Sequence, residues 1–391
     1  MLRIVSLTLL CAISLGSVVH SAEPIGLQEF RVGKQITLGK VIAQDGEACL
    51  MMSQDGRMNR VEKAATWTMK PMSPSFQPWP SAIVRDKLKR EFGSQFAVVG
   101  TRHYLVCART DRQAKEYGEL FEDLYGSFQR YFNVRGLKIT EPEFPLIAIV
   151  FPDQTSFSQY AKKDEARALS NMVGYYSPQS NRIALFDRDP TSTAALGIDV
   201  RNDSSPRQHS FWDEGRSGRT NVWASVNADT KDTIIHEATH QLAFNMGLHS
   251  RVGESPLWVV EGLATVFEAP GIRNSSANLG AKTRINHDRY VWFGNFQKER
   301  RKPKSLEAFV ASDELFKSSP LDAYSQAWAL TFFLVETRSR QYAKYLQITS
   351  ARSPFAEYPP EARVTDFKQA FGSNLSMLEA DFLRFVASGI R

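Results

Sequence analysis

Two histidines four residues apart constrain this chain more than any other feature. They lie in the stretch TIIHEATHQLAF, residues 233–244, as His236 and His240, and Glu237 directly follows the first. On a helix, residues four apart project from the same face, so both imidazoles can reach one metal ion. Glu237 lies about 100° round the helix, beside that face. The pattern is typical of a site in which two histidines bind zinc and the glutamate takes a proton from a metal-bound water.

The third ligand must come from outside this helix, which is predicted to begin near Asn227 or Asp229 and to run to about Met246. Ser255-Pro256 is a typical start for a second helix. Glu261 lies early in that second helix and is our choice of third ligand.

Two other candidates for the third ligand fit less well. His249 lies beyond Gly247, after the first helix has ended. Glu268 lies two turns beyond Glu261, roughly 10 Å along the helix axis, so the two carboxylates cannot serve one ion.

These residues give the chain a resemblance to the gluzincins, the thermolysin-like superfamily of zinc metallopeptidases. Gluzincins combine His-Glu-x-x-His on one helix with a ligand glutamate on the next, often within Trp-x-x-Glu-Gly-x-Ala. Trp258, Glu261, Gly262 and Ala264 match that second block. The resemblance extends from about residue 92 to the end, and it is closest to an uncharacterised family of exported bacterial gluzincin-like domains. It implies Zn²⁺ as the cofactor and a peptide or protein as the substrate.

The resemblance also implies roles for single residues. In the aminopeptidase branch, a tyrosine at a comparable distance from the ligand glutamate donates a hydrogen bond to the tetrahedral oxyanion, and Tyr324 matches it. A tyrosine that only packs its helix into the core is the alternative. Many gluzincins place an acidic residue four positions after the ligand glutamate, where it orients a histidine. This chain has Thr265 there, which leaves the group that orients His236 or His240 open.

The remaining sequence predicts an α+β fold: a small N-terminal β unit, then a zincin-like mixed sheet with the active-site helix, then a C-terminal helical subdomain. Asp45-Gly46 and Asp55-Gly56 each separate two apolar runs, which is a strong hairpin signal. KPMSPSFQPWP, residues 70–80, is predicted as a proline-rich linker. GYYSPQSNRIALFD, residues 174–187, is predicted as a hairpin or edge strand, either structural or available to pair with substrate. The predicted parts are a signal peptide at 1–22, a small β domain at 23–75, an α/β part at 76–190, a polar insertion at 191–227, and the active-site helices with the helical subdomain at 228–391.

The first 22 residues are typical of a secretory signal peptide. Arg3 is their only charged side chain, the apolar run Ile4–Val19 follows, and the small residues Ser21 and Ala22 complete a plausible cleavage site. An uncleaved membrane anchor is the alternative, although the apolar run is shorter than the about 20 residues that a membrane-spanning helix needs. We therefore predict an exported protein: periplasmic, cell-surface or extracellular.

Together these features predict an exported zinc-dependent metallopeptidase with Glu237 as general base. A catalytically inactive, zinc-stabilised binding or scaffold protein of the cell envelope is the alternative. Nucleic acid is not an expected partner, because the formal charge of +6 includes Arg3 and is spread along the chain. No stable membrane span is expected after removal of the signal peptide. Oligomeric state, cleavage specificity and a possible Cys49–Cys107 pair are left open.

Overall fold

The computed structural model of the protein describes residues 26–32, 34–63, 67–164, 172–186, 228–273 and 280–388. The predicted signal peptide and the predicted polar insertion, residues 191–227, lie outside them. The described chain has the predicted α+β class: an antiparallel N-terminal sheet, a mixed sheet, and a largely helical C-terminal part.

The N-terminal sheet has its strands in the order β4-β3-β2-β1-β5. Its strands are β1 Gly26–Val32, β2 Gln35–Gln44, β3 Ala48–Met52, β4 Met58–Glu62 and β5 Trp67–Ser75. The two Asp-Gly pairs lie in the turns that join β2 to β3 and β3 to β4, as predicted. The linker predicted at 70–80 is wrong in its first half, because residues 70–75 belong to β5, which pairs with β1. Proline is compatible with such an edge strand, since its missing N–H can lie on the unpaired side.

The mixed sheet has the order β6-β7-β8-β10-β9. Its strands are β6 Ala97–Gly100, β7 Tyr104–Ala108, β8 Leu146–Phe151, β9 Gly174–Ser177 and β10 Arg182–Phe186. The three central strands run parallel, and β6 and β9 pair antiparallel at the two edges. The predicted hairpin is therefore confirmed as β9 and β10, with β9 at the edge of the sheet.

Helices cover both faces of the mixed sheet, and this explains why β8 is apolar at every position. The helices of the described chain, of which α1 to α4 pack on this sheet, are α1 Ser81–Phe92, α2 Asp111–Asn133, α3 Gln154–Lys163, α4 Ala228–Asn245, α5 Leu257–Glu268, α6 Pro270–Arg273, α7 His287–Glu299, α8 Leu306–Ala311, α9 Glu314–Ser318, α10 Pro320–Thr337, α11 Ser339–Ser350, α12 Pro360–Phe371 and α13 Leu375–Ala387. Side chains of β8 alternate between a core shared with α2 and α4 and a second core shared with α1 and α3. Within the described chain, no helix is both long enough and apolar enough to cross a bilayer.

Cys49 and Cys107, the two cysteines outside the predicted signal peptide, do not pair. Cys49 lies in the core of the N-terminal sheet, whereas Cys107 lies in the core between the mixed sheet and α1. Both thiols are free and buried. Because the two cores are separate, no disulfide can form without disrupting them.

Candidate metal centre

The metal-site candidates lie on α4 and α5, two helices joined by the segment 246–256. The first helix ends where the sequence predicts, and Gly247 follows with a φ of 82°, in the left-handed region that glycine favours. The second helix begins slightly later than predicted, at Leu257, and Pro256 occupies the N-cap position without a side-chain cap. Instead the Leu257 N–H donates to Asp313 Oδ1 at 3.0 Å, so a distant loop caps the helix.

The structure brings His236, His240 and Glu261 together. One ligand atom from each residue lies within 4.8 Å of the others, and the described residues contain no other such group. His236 Nε2 is 3.1 Å from Glu261 Oε2, and His240 Nε2 is 3.7 Å from it. Zinc binds nitrogen and oxygen at about 2.0–2.2 Å, so two donors of a tetrahedral site lie about 3.4 Å apart. The donors and their spacing therefore fit a zinc ion with three protein ligands.

The two carboxylates at this centre stabilise positive charge on the neighbouring histidine. Burial alone would lower the pKa of His236, but Glu261 and Glu268 outweigh burial and raise this pKa well above its ordinary value. Burial would likewise raise the pKa of Glu261, yet His240 and the hydrogen bond from His236 hold it well below its ordinary range. A positive charge next to the Glu261 carboxylate is thus stabilised even in the protein alone.

Glu237 lies beside the three ligand candidates and is held by the edge of the mixed sheet. Its Oε2 accepts a hydrogen bond from the backbone N–H of Tyr176, on β9, at 2.7 Å. Burial raises the pKa of the Glu237 carboxyl above its ordinary value, although the two histidines and the Tyr176 N–H oppose the shift. Gly174 lets β9 lie this close to α4, because a Cβ there would be 2.9 Å from Thr233 Cγ2.

Glu268 orients His236. In many gluzincins an acidic residue at the position of Thr265 has this role. Its Oε1 lies 2.9 Å from His236 Nδ1, and its Oε2 accepts from Asn286 Nδ2 at 2.8 Å. Thr265 instead donates to the Glu261 backbone carbonyl at 2.8 Å. Glu268 consequently lies outside the group of ligand candidates and contacts one of them, and such partners fix the orientation of ligand histidines in metal sites. Its position two turns after Glu261 on the same helix face was the available sequence signal.

Tyr324 also lies at the centre. Burial raises the pKa of its phenol, and the nearby Glu261 and Glu237 carboxylates raise it further. Gly262 explains this proximity, because a Cβ there would be 2.2 Å from Thr331 Oγ1 and 2.6 Å from the Ala327 carbonyl oxygen. Only glycine allows α5 and α10 to approach so closely.

His249, the alternative third ligand, is buried close to the centre but does not join the ligand group. Its ring packs against Phe244 at 5.2 Å between centroids. Neither ring nitrogen has a well-aligned hydrogen-bond partner among the described residues. Burial lowers the pKa of His249 to about 3, which a weak interaction with the Leu248 backbone only partly offsets. The imidazole is therefore neutral.

Comparison with known proteins places this centre inside a recognised segment of unknown role. Residues 230–356 match the model of a family described as a protein of unknown function, DUF1570. The matched segment includes the three ligand candidates, Glu237, Glu268 and Tyr324, but not β9. No curated protein matches the chain.

Proposed function

We propose that the protein is a zinc-dependent peptidase of the gluzincin type that acts outside the cytoplasm. The observation that carries this proposal is the partly buried Glu237 carboxylate beside three donors whose spacing fits zinc. A purely structural metal site has no use for a base at that position. The apolar N-terminal segment, residues 1–22, supports export.

Zinc bound there would supply a Lewis acid that polarises a peptide carbonyl and makes a bound water more acidic. Glu237 then takes the proton of the attacking water and passes it to the leaving amine. A carboxyl whose pKa is raised by burial suits this work, because efficient proton transfer needs a base poised nearer to neutral pH. Tyr324 donates its phenolic hydrogen to the oxygen that becomes negative during attack.

Among the described strands, β9 pairs only with β10, and its other edge is suited to align an extended peptide. Within a strand, the N–H and C=O of one residue point to the same side. The Tyr176 N–H points toward Glu237, so its carbonyl lies on the same side of β9 and could accept from a substrate N–H. This pairing would place a scissile bond next to the ligand group.

The test compares the mature chain with its Glu237→Gln variant by metal analysis and by cleavage of a peptide library. Both proteins are expected to bind one equivalent of zinc, and the variant is expected to lose about 10²–10⁴-fold in turnover because it lacks the base. His236→Ala, His240→Ala and Glu261→Ala are each expected to abolish stoichiometric zinc. Zinc in both proteins without cleavage by the native chain would favour the inactive binding or scaffold protein. Full zinc in Glu261→Ala would refute the ligand set.

A further inference from the structure

A single guanidinium joins three separate parts of the protein next to this centre. Arg251 lies in the segment between α4 and α5. Its Nε and Nη2 donate to the Pro178 carbonyl oxygen, in the turn between β9 and β10, at 2.9 and 2.7 Å. The same Nη2 donates at 2.6 Å to the carbonyl oxygen of Gly56, in the turn between β3 and β4.

Other contacts fasten the N-terminal sheet at the same place. The Met58 N–H donates to the Gln179 carbonyl oxygen at 2.7 Å, so the sheet also bonds directly to the turn that follows β9. An apolar cluster joins the sheet to the segments on either side, and its members are Met52, Met58, Phe76, Phe144 and Val252. Lys40 forms an ion pair with Glu143 at 2.5 Å across the same interface. The N-terminal sheet is therefore fixed to the rest of the protein.

The turn that Arg251 holds is connected through β9 to Glu237, the candidate base. The turn held by Arg251 follows β9 directly, and β9 supplies the Tyr176 N–H that binds Glu237. The Tyr176 hydroxyl also donates to Asn181 Oδ1, in that same turn, at 2.8 Å. A planar guanidinium can bond several carbonyl oxygens at fixed angles, whereas an ammonium group acts as a point charge. Arg251 and the sheet behind it thus add to the support that β9 receives from its pairing with β10 and from the hydrogen bonds between Asn181, in the same turn, and Asn245.

We propose that Arg251 is a positioning residue, which uses the N-terminal sheet as a fixed support to hold β9 against Glu237. The role in catalysis rests on the proposed peptidase function, whereas the role in holding β9 does not. Residues 26–75 are in this view a permanent part of the active protein and not a removable pro-segment.

The experiment uses the full mature chain and three variants: Arg251→Met, Arg251→Lys and Lys40→Met. Lys40→Met is the matched control, because it removes a cation from the same interface without touching the turn after β9. Hydrogen exchange, measured by mass spectrometry on chelator-treated protein, reports on β9 without needing metal or activity. In Arg251→Met, peptides within 172–186 are expected to exchange at least about tenfold faster, because several hydrogen bonds to the turn are lost. Peptides within 257–268 are expected to keep their exchange rates.

Activity gives the second readout. In Arg251→Met, kcat is expected to fall at least about tenfold while zinc stoichiometry stays unchanged, because the base is misplaced and the ligands are not. Arg251→Lys is expected to recover part of both losses, and it carries the test if Arg251→Met does not fold. Lys40→Met is expected to stay within about twofold of the parent in kcat and in the exchange of 172–186.

Unchanged exchange of 172–186 in both Arg251 variants would overturn the proposal, and so would an equal loss in Lys40→Met. If the parent cleaves no peptide, the peptidase function fails, but the exchange data still decide whether Arg251 holds β9.

Discussion

Replacement of His249 by leucine is expected to make the fold less sensitive to mild acid. The buried ring has a pKa of about 3, against an ordinary value of 6.5. The folded protein therefore keeps the imidazole neutral, whereas the unfolded chain takes up a proton as the pH falls through about 6.5. Because the folded pKa is the lower one, the stability due to this residue is complete at alkaline pH and declines as the pH falls toward 3.

The size of the effect follows from the two pKa values. One pKa unit corresponds to about 1.4 kcal/mol, so a decrease to pH 5, about 1.5 units below the unfolded pKa, costs about 2 kcal/mol. The limiting loss near pH 3 is about 5 kcal/mol on the same basis. Leucine removes the titration and also the two ring nitrogens that lack well-aligned partners.

The assay is urea unfolding of chelator-treated protein at pH 8 and pH 5, followed by tryptophan fluorescence. Between these pH values, the parent is expected to lose about 2 kcal/mol more of its unfolding free energy than His249→Leu does. Phe244→Leu is the matched control, because it alters packing against the ring but keeps the imidazole, and its pH dependence is expected to follow the parent. A difference below about 0.5 kcal/mol between the parent and His249→Leu would refute a neutral, buried ring.

Three further predictions concern the centre itself. Gly262→Ala is expected to lower the free energy of unfolding, measured by urea denaturation, by about 1–3 kcal/mol, because the new Cβ would collide with α10. Gly46→Ala is the control and should change this free energy little, because its Cβ would meet no atom within 4 Å. Glu268→Ala is expected to weaken zinc binding about 10–100-fold in a chelator competition, since His236 loses its partner; Glu268→Gln, which keeps an acceptor, should lose less. Tyr324→Phe is expected to keep its zinc and lose about 10²–10³-fold in kcat, and an unchanged kcat would leave Tyr324 only a packing role.

Local sequence signals predicted the fold where neighbouring residues decide it. The Asp-Gly turns and the hairpin of β9 and β10 form as expected, since each depends on a turn and on apolar runs within the segment. The edge strand β5 was missed because its partner, β1, lies some 40 residues earlier, and its prolines resemble a linker. The helix α1 did not stand out, because only Val84 and Leu88 on it are buried.

The candidate site divides in the same way. His236, His240 and Glu261 could be chosen from their spacing on two helices, and the structure brings them together. The spacing of Glu268 from Glu261 was a sequence signal, but its contact with His236 depends on how α4 packs against α5, which the spacing does not give. The hydrogen bond from the Tyr176 N–H to Glu237 could not be predicted either, because every residue except proline has a backbone N–H and the residue type does not show which one is used.

The bond between Arg251 and Gly56 joins residues 195 positions apart, and this separation has a consequence for the order in which the chain folds. Whenever the chain emerges N-terminus first, from a ribosome or from a membrane channel, the N-terminal sheet is complete long before its guanidinium partner arrives. At a synthesis rate of about 5–20 residues per second, the interval is roughly 10–40 s. During that time the sheet has only its own small core, around Phe30 and Met51, to hold it. The apolar surface of Met52 and Met58 meanwhile lies open to water and to other chains.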